Sequence, residues 1–122
     1  MTPVIYNDVL AAVSVVAAVS AEQRAAVVAR LLREADLAES HRLIHGAAHP
    51  VFGDGSLMAA ALRYQRRGSA SFQDREGLAA WRCVIDALCA RLDQPDAQLI
   101  QRRAVGSSSS RFGAMLSPQS SQ

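Results

Sequence analysis

Three histidines fall within nine residues, His41, His45 and His49, the densest set of side chains in the sequence that could do chemistry. His41 and His45 stand one turn apart on a helix, a spacing at which two imidazoles can share a metal, with Asp36, Glu39 or Asp54 to complete the ligands. The same residues suit a solvated helix end, where a cation complements the helix dipole. His49 lies beyond Gly46, and no cysteine is near in sequence, so the expectation is that no metal is bound. Gly53-Asp54-Gly55-Ser56, just before a helix, could turn backbone amides toward an anion. Asp54 opposes that use, and a turn followed by a helix cap accounts for the same four residues. Phosphate loops also need a lysine, and the chain has none. Cys83 and Cys89 are six apart in an expected helix, at about 240° from each other around its axis. They cannot pair within it, and two buried thiols in a reducing compartment are expected. Nucleophilic catalysis needs a serine or cysteine held against a positioned histidine and an orienting acid, and the cysteines lie far in sequence from the histidines, so neither a catalytic centre nor a cofactor is expected.

Charge narrows the choice of partners. The 122 residues carry a net charge of +2, and all 13 basic residues are arginine. Arginine makes forked contacts to phosphate or carboxylate. Arg63, Arg66 and Arg67 cluster near the end of one expected helix, and Arg102, Arg103 and Arg111 follow the last acidic residue, Asp96. These are the candidate DNA contacts; phosphate-directed binding of this kind is independent of sequence and sensitive to salt. The competing reading is that the arginines only solubilise the surface. No helix offers an obvious set of base-reading side chains.

The elements that must carry these residues are helical. Hydrophobic residues make up 50% of the chain and charged residues 20%, which permits a packed core. Aromatics are 5% and alanine is abundant, which favours helix over strand. Asn7 or Asp8 can cap a first helix running to about residue 19. That helix is apolar nearly all round, so it must be covered on several sides. A second subunit is the expected cover, through Val9, Val13 and Val16. The run from residue 9 to 19 falls short of the roughly 20 residues a bilayer span needs, and no basic residue precedes it as in a signal peptide. The expected location is the cytoplasm, with no membrane contact.

Ser20 with Gln23 reads as a capping box opening a second helix, which stops at Gly46 and folds back on the first as a hairpin. Ser56 caps a third helix from residue 57 to about 65, and Ser71 with Asp74 opens a fourth that runs to about residue 92. Leu78, Trp81, Ile85, Leu88 and Leu92 recur every three or four residues along it, the stripe expected to face the core. Pro95 can start a short fifth helix over 96–104. The fold class is therefore all-α: a helical hairpin plus two further helices in a small bundle, over residues 1–105. Residues 106–122 form a Ser-rich tail expected to be disordered. Within it Phe112, Met115 and Leu116 have the i, i+3, i+4 spacing of a segment that docks as a helix in a partner's groove, with Arg111 beside them.

The segment Ala48-His49-Pro50-Val51-Phe52-Gly53-Asp54-Gly55-Ser56-Leu57-Met58-Ala59-Ala60-Ala61 is the most distinctive part of the chain. Together with the opening Pro3-Val4 to Val9 and the hairpin, it resembles a group of short alphaproteobacterial helical proteins. These are associated with gene transfer agent clusters, beside the large terminase, as small terminase subunits of DNA packaging. The similarity spans roughly residues 1–92 and excludes the Ser-rich tail. It implies an oligomer built on the hairpin, DNA as a ligand, and docking of the large terminase subunit through a C-terminal segment. The chain departs from the wider small-terminase pattern in having no room for a separate N-terminal DNA module, so the DNA binding implied is weak and non-specific. The rival expectation is a small helical regulatory module, unrelated to packaging, that binds one protein.

Overall fold

The structure, a computed structural model, describes residues 1–94. The expected fifth helix and the tail lie outside the described residues. Four helices follow in order: α1 (Tyr6–Ala17), α2 (Ala21–His45), α3 (Leu57–Leu62) and α4 (Arg75–Leu92). Among the described residues the only pairing of strand type is an isolated bridge between His49 and Gly53. The protein is all-α, as its composition requires, and none of these helices is long and apolar enough to cross a membrane.

The apolar helix α1 is the centre of the bundle. Ala12, Val13, Val15 and Val16 are buried, with Val13 and Val16 at 0% exposure, while Val9 is half-buried. Their cover comes from within the chain, since α1 packs on α3 and α4 more extensively than on α2. This corrects the expectation that Val13 and Val16 meet a second subunit, while Val9 keeps part of its surface open. A helix that is apolar all round needs several neighbours, and three helices of one chain supply them. The rest of the core is Met1 ahead of α1, with Val28, Leu31 and Ala35 from α2, Leu57, Ala60 and Ala61 from α3, and Ala80 and Val84 from α4.

One carboxylate sets two helix starts at once. Asp8, 5% exposed, stands in the first turn of α1. Its Oδ2 accepts the Ile5 N–H at 3.0 Å and its Oδ1 accepts the Met58 N–H, in the first turn of α3, at 2.9 Å. Free amides at a helix start need such acceptors, so Asp8 is not the residue before α1, as the sequence suggests, but a brace inside it.

The other caps divide similarly. Gly46 ends α2 at φ 72°, as expected. Ser56 caps α3, its Oγ accepting from Ala59 N at 3.0 Å. Ser20 precedes α2 without a side-chain cap bond. At α4 the capping residue is Asp74, accepting from Gly77 N at 2.6 Å, while Ser71 Oγ accepts from Gln73 N in the preceding turn. Helix α3 ends three residues earlier than expected because the chain leaves it to run past α1. There Gly68 donates to the Ser14 carbonyl at 2.7 Å, and a Cβ on Gly68 would come within 2.7 Å of the Ala17 backbone.

Ion pairs tie α2 to its neighbours. Arg91 grips Asp36 through two bonds of 2.7 and 2.5 Å, and the N-terminal ammonium reaches both Asp36 (2.7 Å) and Glu39. Burial alone would raise the Asp36 carboxyl, but the bonds from Arg91 and the ammonium outweigh it and hold it below the ordinary 3.8.

Asp8→Ala is expected to lower the unfolding free energy by about 1–3 kcal/mol, from a lost helix brace and two part-buried donors left without this acceptor. Asp8→Asn, which keeps one acceptor oxygen, should lose less. Denaturant titration followed by circular dichroism measures both, and an Asp8→Ala variant as stable as the parent would contradict the double-brace role. Val16→Asp should lose the helical fold altogether rather than release a folded monomer, because the buried charge faces the chain's own core.

Candidate functional site

The histidines do converge. His41 and His45, on successive turns of α2, have ring centroids 4.4 Å apart, and His49 comes back across the loop to 4.9 Å from His41. His49 then stacks on Phe52 at 4.7 Å, and the Arg63 guanidinium lies 5.0 Å above the Phe52 ring. Two backbone amides, Val51 and Phe52, donate to His49 Nδ1 at 3.0 and 3.1 Å. A ring nitrogen that accepts two bonds carries no proton, which leaves the proton on Nε2. Among the described residues, no group of three or more His, Cys, Asp or Glu is arranged to hold a metal ion. The cluster is a packed stack of rings that joins the end of α2 to the loop and to α3.

The Gly53-Asp54-Gly55-Ser56 turn proves to be a docking element. Gly53 (φ 91°) and Gly55 (φ 101°) occupy the left-handed region, and a Cβ on Gly55 would sit 2.8 Å from Glu39 Cβ. The loop therefore lies directly on α2. Amides at both ends of the turn and in the first turn of α3 are already engaged: Gly53 N donates to the His49 carbonyl at 3.2 Å, Ser56 N to Asp54 Oδ1 at 3.0 Å, Ala59 N to Ser56 Oγ and Met58 N to Asp8. An anion would have to displace these bonds, which bears out the turn-and-cap reading of the four residues.

The arginine cluster separates. Arg63 binds Glu34 Oε2 at 3.0 Å, shares that carboxylate with the Tyr64 hydroxyl (3.4 Å), and lies over both the Phe52 and Tyr64 rings. A guanidinium so engaged is a packing and ion-pair residue, not a free phosphate contact. Arg66 and Arg67 are exposed, with Arg67 bonded weakly to the Ala61 carbonyl at 3.4 Å. Arg102 and Arg103, like Arg111, Phe112, Met115 and Leu116, lie outside the described residues. The cysteines also part company: Cys83 is half-buried and Cys89 exposed, so the expected pair of buried thiols is not formed. Burial pushes the Cys83 thiol up, with Asp86 adding to the rise and Arg24 opposing it.

The larger surprise lies on α4. Leu78, Ile85 and Leu92, expected in the core, are 49%, 43% and 72% exposed. The buried face of α4 is Gly77, Ala80 and Val84 instead. Trp81 sits between the two faces, half-buried, donating from Nε1 to the Ala70 carbonyl at 2.7 Å. Phe72 and Tyr6, both exposed, pack on its ring at 4.9 and 6.2 Å. Sequence reasoning assigned the large residues inward because periodicity alone does not distinguish a core face from a binding face. The sharper signal was the second, smaller-residue series beside them.

Desolvation lowers the His41 pKa below its usual 6.5, and the electrostatic influence of the neighbouring His45 and His49 lowers it further. A histidine whose folded pKa is depressed contributes stability that is present above the unfolded value and is lost as pH falls toward the folded one. Thermal stability should therefore drop as pH is lowered from about 6.5. His41→Gln should flatten that dependence. An unchanged pH profile in His41→Gln would show that the stack is not its source.

No curated protein and no solved structure matches the chain. Residues 2–88, which include the histidine stack, the glycine loop and α4 as far as Leu88, match the family model described as a domain of unknown function, DUF7742, and the chain belongs to that family.

Proposed function

We propose that the protein is a non-catalytic helical adaptor that works by binding other macromolecules. One observation carries this reading. Among the described residues eleven large apolar side chains are exposed, including Ile5, Tyr6, Leu43, Ile44, Phe72, Leu78, Ile85 and Leu92. Among the same residues the buried core holds eight hydrophobic residues larger than alanine: Met1, Val13, Val15, Val16, Val28, Leu31, Leu57 and Val84. Scattered apolar residues on a surface are ordinary, but a concentration of them marks interaction sites.

The more specific reading is an oligomeric, cytoplasmic adaptor of DNA packaging, resembling a small terminase subunit. It rests on the similarity carried by residues 48–61. In this reading the adaptor recruits the large terminase subunit and holds DNA weakly, without sequence preference. Arg66 and Arg67 are the body's candidate DNA contacts, joined by Arg102 and Arg103; Arg63 drops out because Glu34 already engages it. Arg111, Phe112, Met115 and Leu116 remain the candidate anchors for the large subunit.

Capture of the large terminase subunit by the full chain tests this directly. The full chain should retain it, and deletion of residues 107–122 should abolish retention with helix content unchanged. Failure of the full chain to retain that subunit would turn the reading toward a regulatory module with a different protein partner. Arg66→Ala with Arg67→Ala should weaken binding to arbitrary duplex DNA, and binding by the parent should fall steeply between low and physiological salt. Tight, salt-resistant binding to one DNA sequence would contradict the reading.

A further inference from the structure

We propose that the exposed face of α4 is the contact between two copies of this chain, packed α4 against α4, antiparallel, about a two-fold axis. The inference deepens the oligomeric part of the adaptor reading, on which it rests, by naming the face and its register.

The first observation is the spacing of the stripe. Leu78, Ile85 and Leu92 are separated by seven residues each, and all three are exposed. Trp81 and Leu88 follow at +3 within each repeat, half-buried at the edge of the chain's own core. Residues seven apart drift by only about 20° around a helix, so the three form a nearly straight ridge of the kind that packs along another helix. Nothing on the described residues covers this ridge. The ridge also has breadth, because Phe72, Trp81 and Tyr6 extend it past the start of α4.

The second observation selects the occupant, and it is the order of charges flanking the ridge. Arg75 and Arg82 lie toward the N-terminal half of α4, Asp86 and Asp93 toward the C-terminal half, and all four are exposed. Arg75 and Asp93 stand symmetrically about residue 84, and so do Arg82 and Asp86. Leu78 and Leu92 stand symmetrically about Ile85. A copy of the same helix running the opposite way therefore sets Leu78 against Leu92, and Ile85 against its own counterpart at the two-fold axis. In that register Arg82 meets Asp86 and Arg75 meets Asp93, offset by about 3 Å along the axis, which an arginine side chain spans. A two-fold contact brings the same flank of both helices to one side, so each of these pairs occurs twice. Within one chain Arg82 already approaches Asp86 at 3.7 Å, both exposed, and the second copy turns that pair into a network of four charges. A parallel two-fold copy would carry this charged flank to opposite sides of the pair, where these four residues do not meet, so only the antiparallel arrangement pairs them.

The small-residue face of α4 stays on its own core throughout, which leaves the protomer fold unchanged on association. Contact between two heptad ridges, with flanking ion pairs that match in one direction only, is how helices specify a partner and its orientation.

Sedimentation equilibrium on the full chain tests the face. The parent should reach twice the 13.0 kDa protomer mass. Ile85→Asp should raise the dissociation constant at least about a hundredfold, because two carboxylates are desolvated against each other at the axis. Ile85 is 43% exposed in the protomer, so helix content should not change. Two charge variants test the register. Arg75→Asp with Arg82→Asp makes the flank wholly acidic, and Asp86→Arg with Asp93→Arg makes it wholly basic. Each alone should be monomeric, and an equimolar mixture should restore a species of dimer mass. An assembly unaffected by Ile85→Asp overturns this inference while leaving an oligomeric adaptor intact. A dimer lost in Ile85→Asp whose parent fails to retain the large terminase subunit sustains the inference and sinks the packaging reading. A parent chain that is monomeric until residues 95–122 are removed would assign the face to the chain's own C-terminal segment, and overturns the inference too.

Discussion

A helix without a polar face has to be covered on every side, and the arrangement of this chain answers that demand. In α1, Ala12, Val13, Val15 and Val16 point in several directions and all are buried. Each one buried as a valine contributes roughly 1.5–2 kcal/mol, but only if neighbours approach from more than one side. α3 and α4 supply the closest cover and α2 the remainder. Asp8 then fixes the depth at which α3 meets α1, because the same carboxylate holds an amide at the start of each. Placement of α3 in turn sets the glycine loop, whose Gly55 carbonyl also receives the Thr2 N–H at 2.9 Å. The histidine stack lies at the far side of that loop, so its geometry descends from the covering of α1.

The covering is done largely with small side chains. Ala35, Ala38, Ala60, Ala61 and Ala80 are all at 0% exposure, and three glycines stand where backbone meets backbone. A Cβ on Gly77 would lie 2.1 Å from the Ser71 carbonyl oxygen, and one on Gly68 would collide with the end of α1. Close approach through alanine and glycine gives dense packing with little buried side-chain volume. It leaves the large apolar residues without room inside. Their exposure is a consequence of how the core is built, and it concentrates the chain's potential for association on its surface.

Much of the fold could be read from the sequence, because the signals were local. Gly46 and Ser56 mark helix ends through backbone geometry that few other residues provide, and both stand where expected. The run of alanine over 59–61 and the lack of strand-type segments settle the class. The failures were all questions of which neighbour comes from far along the chain. Asp8 looks like a residue preceding a helix until Met58, fifty positions away, brings a second amide to it. Arg63 looks like a phosphate contact until Glu34 arrives from α2. The cover of α1 could equally have come from another subunit, since apolarity tells how much must be buried and not by whom. The histidines were legible as a cluster; their role as stacked rings depended on Phe52 folding back onto His49.

The same limit explains why α4 was read inside out, and the correction is physical. Two apolar series run along this helix, their centres about 105° apart by the geometry of the α-helix. One is small, Gly77, Ala80 and Val84; the other is large, Leu78, Ile85 and Leu92. Hydrophobicity alone places the larger series in the core, since more area is removed from water. The close approach at Gly77 forbids that choice. Turning α4 to bury the leucines would bring Leu78 or Arg75 to the place where Ser71 leaves no space for even one carbon. It would also pull Trp81 from the Ala70 carbonyl and Arg91 from Asp36. The rotation of α4 is thus determined by steric fit and by two directional bonds. The large series is left outside because geometry outweighs area when a helix must lie within van der Waals distance of a backbone. A ridge kept outside in this way sits on a rigid, well-anchored helix, and that rigidity means little ordering entropy opposes its engagement by a partner.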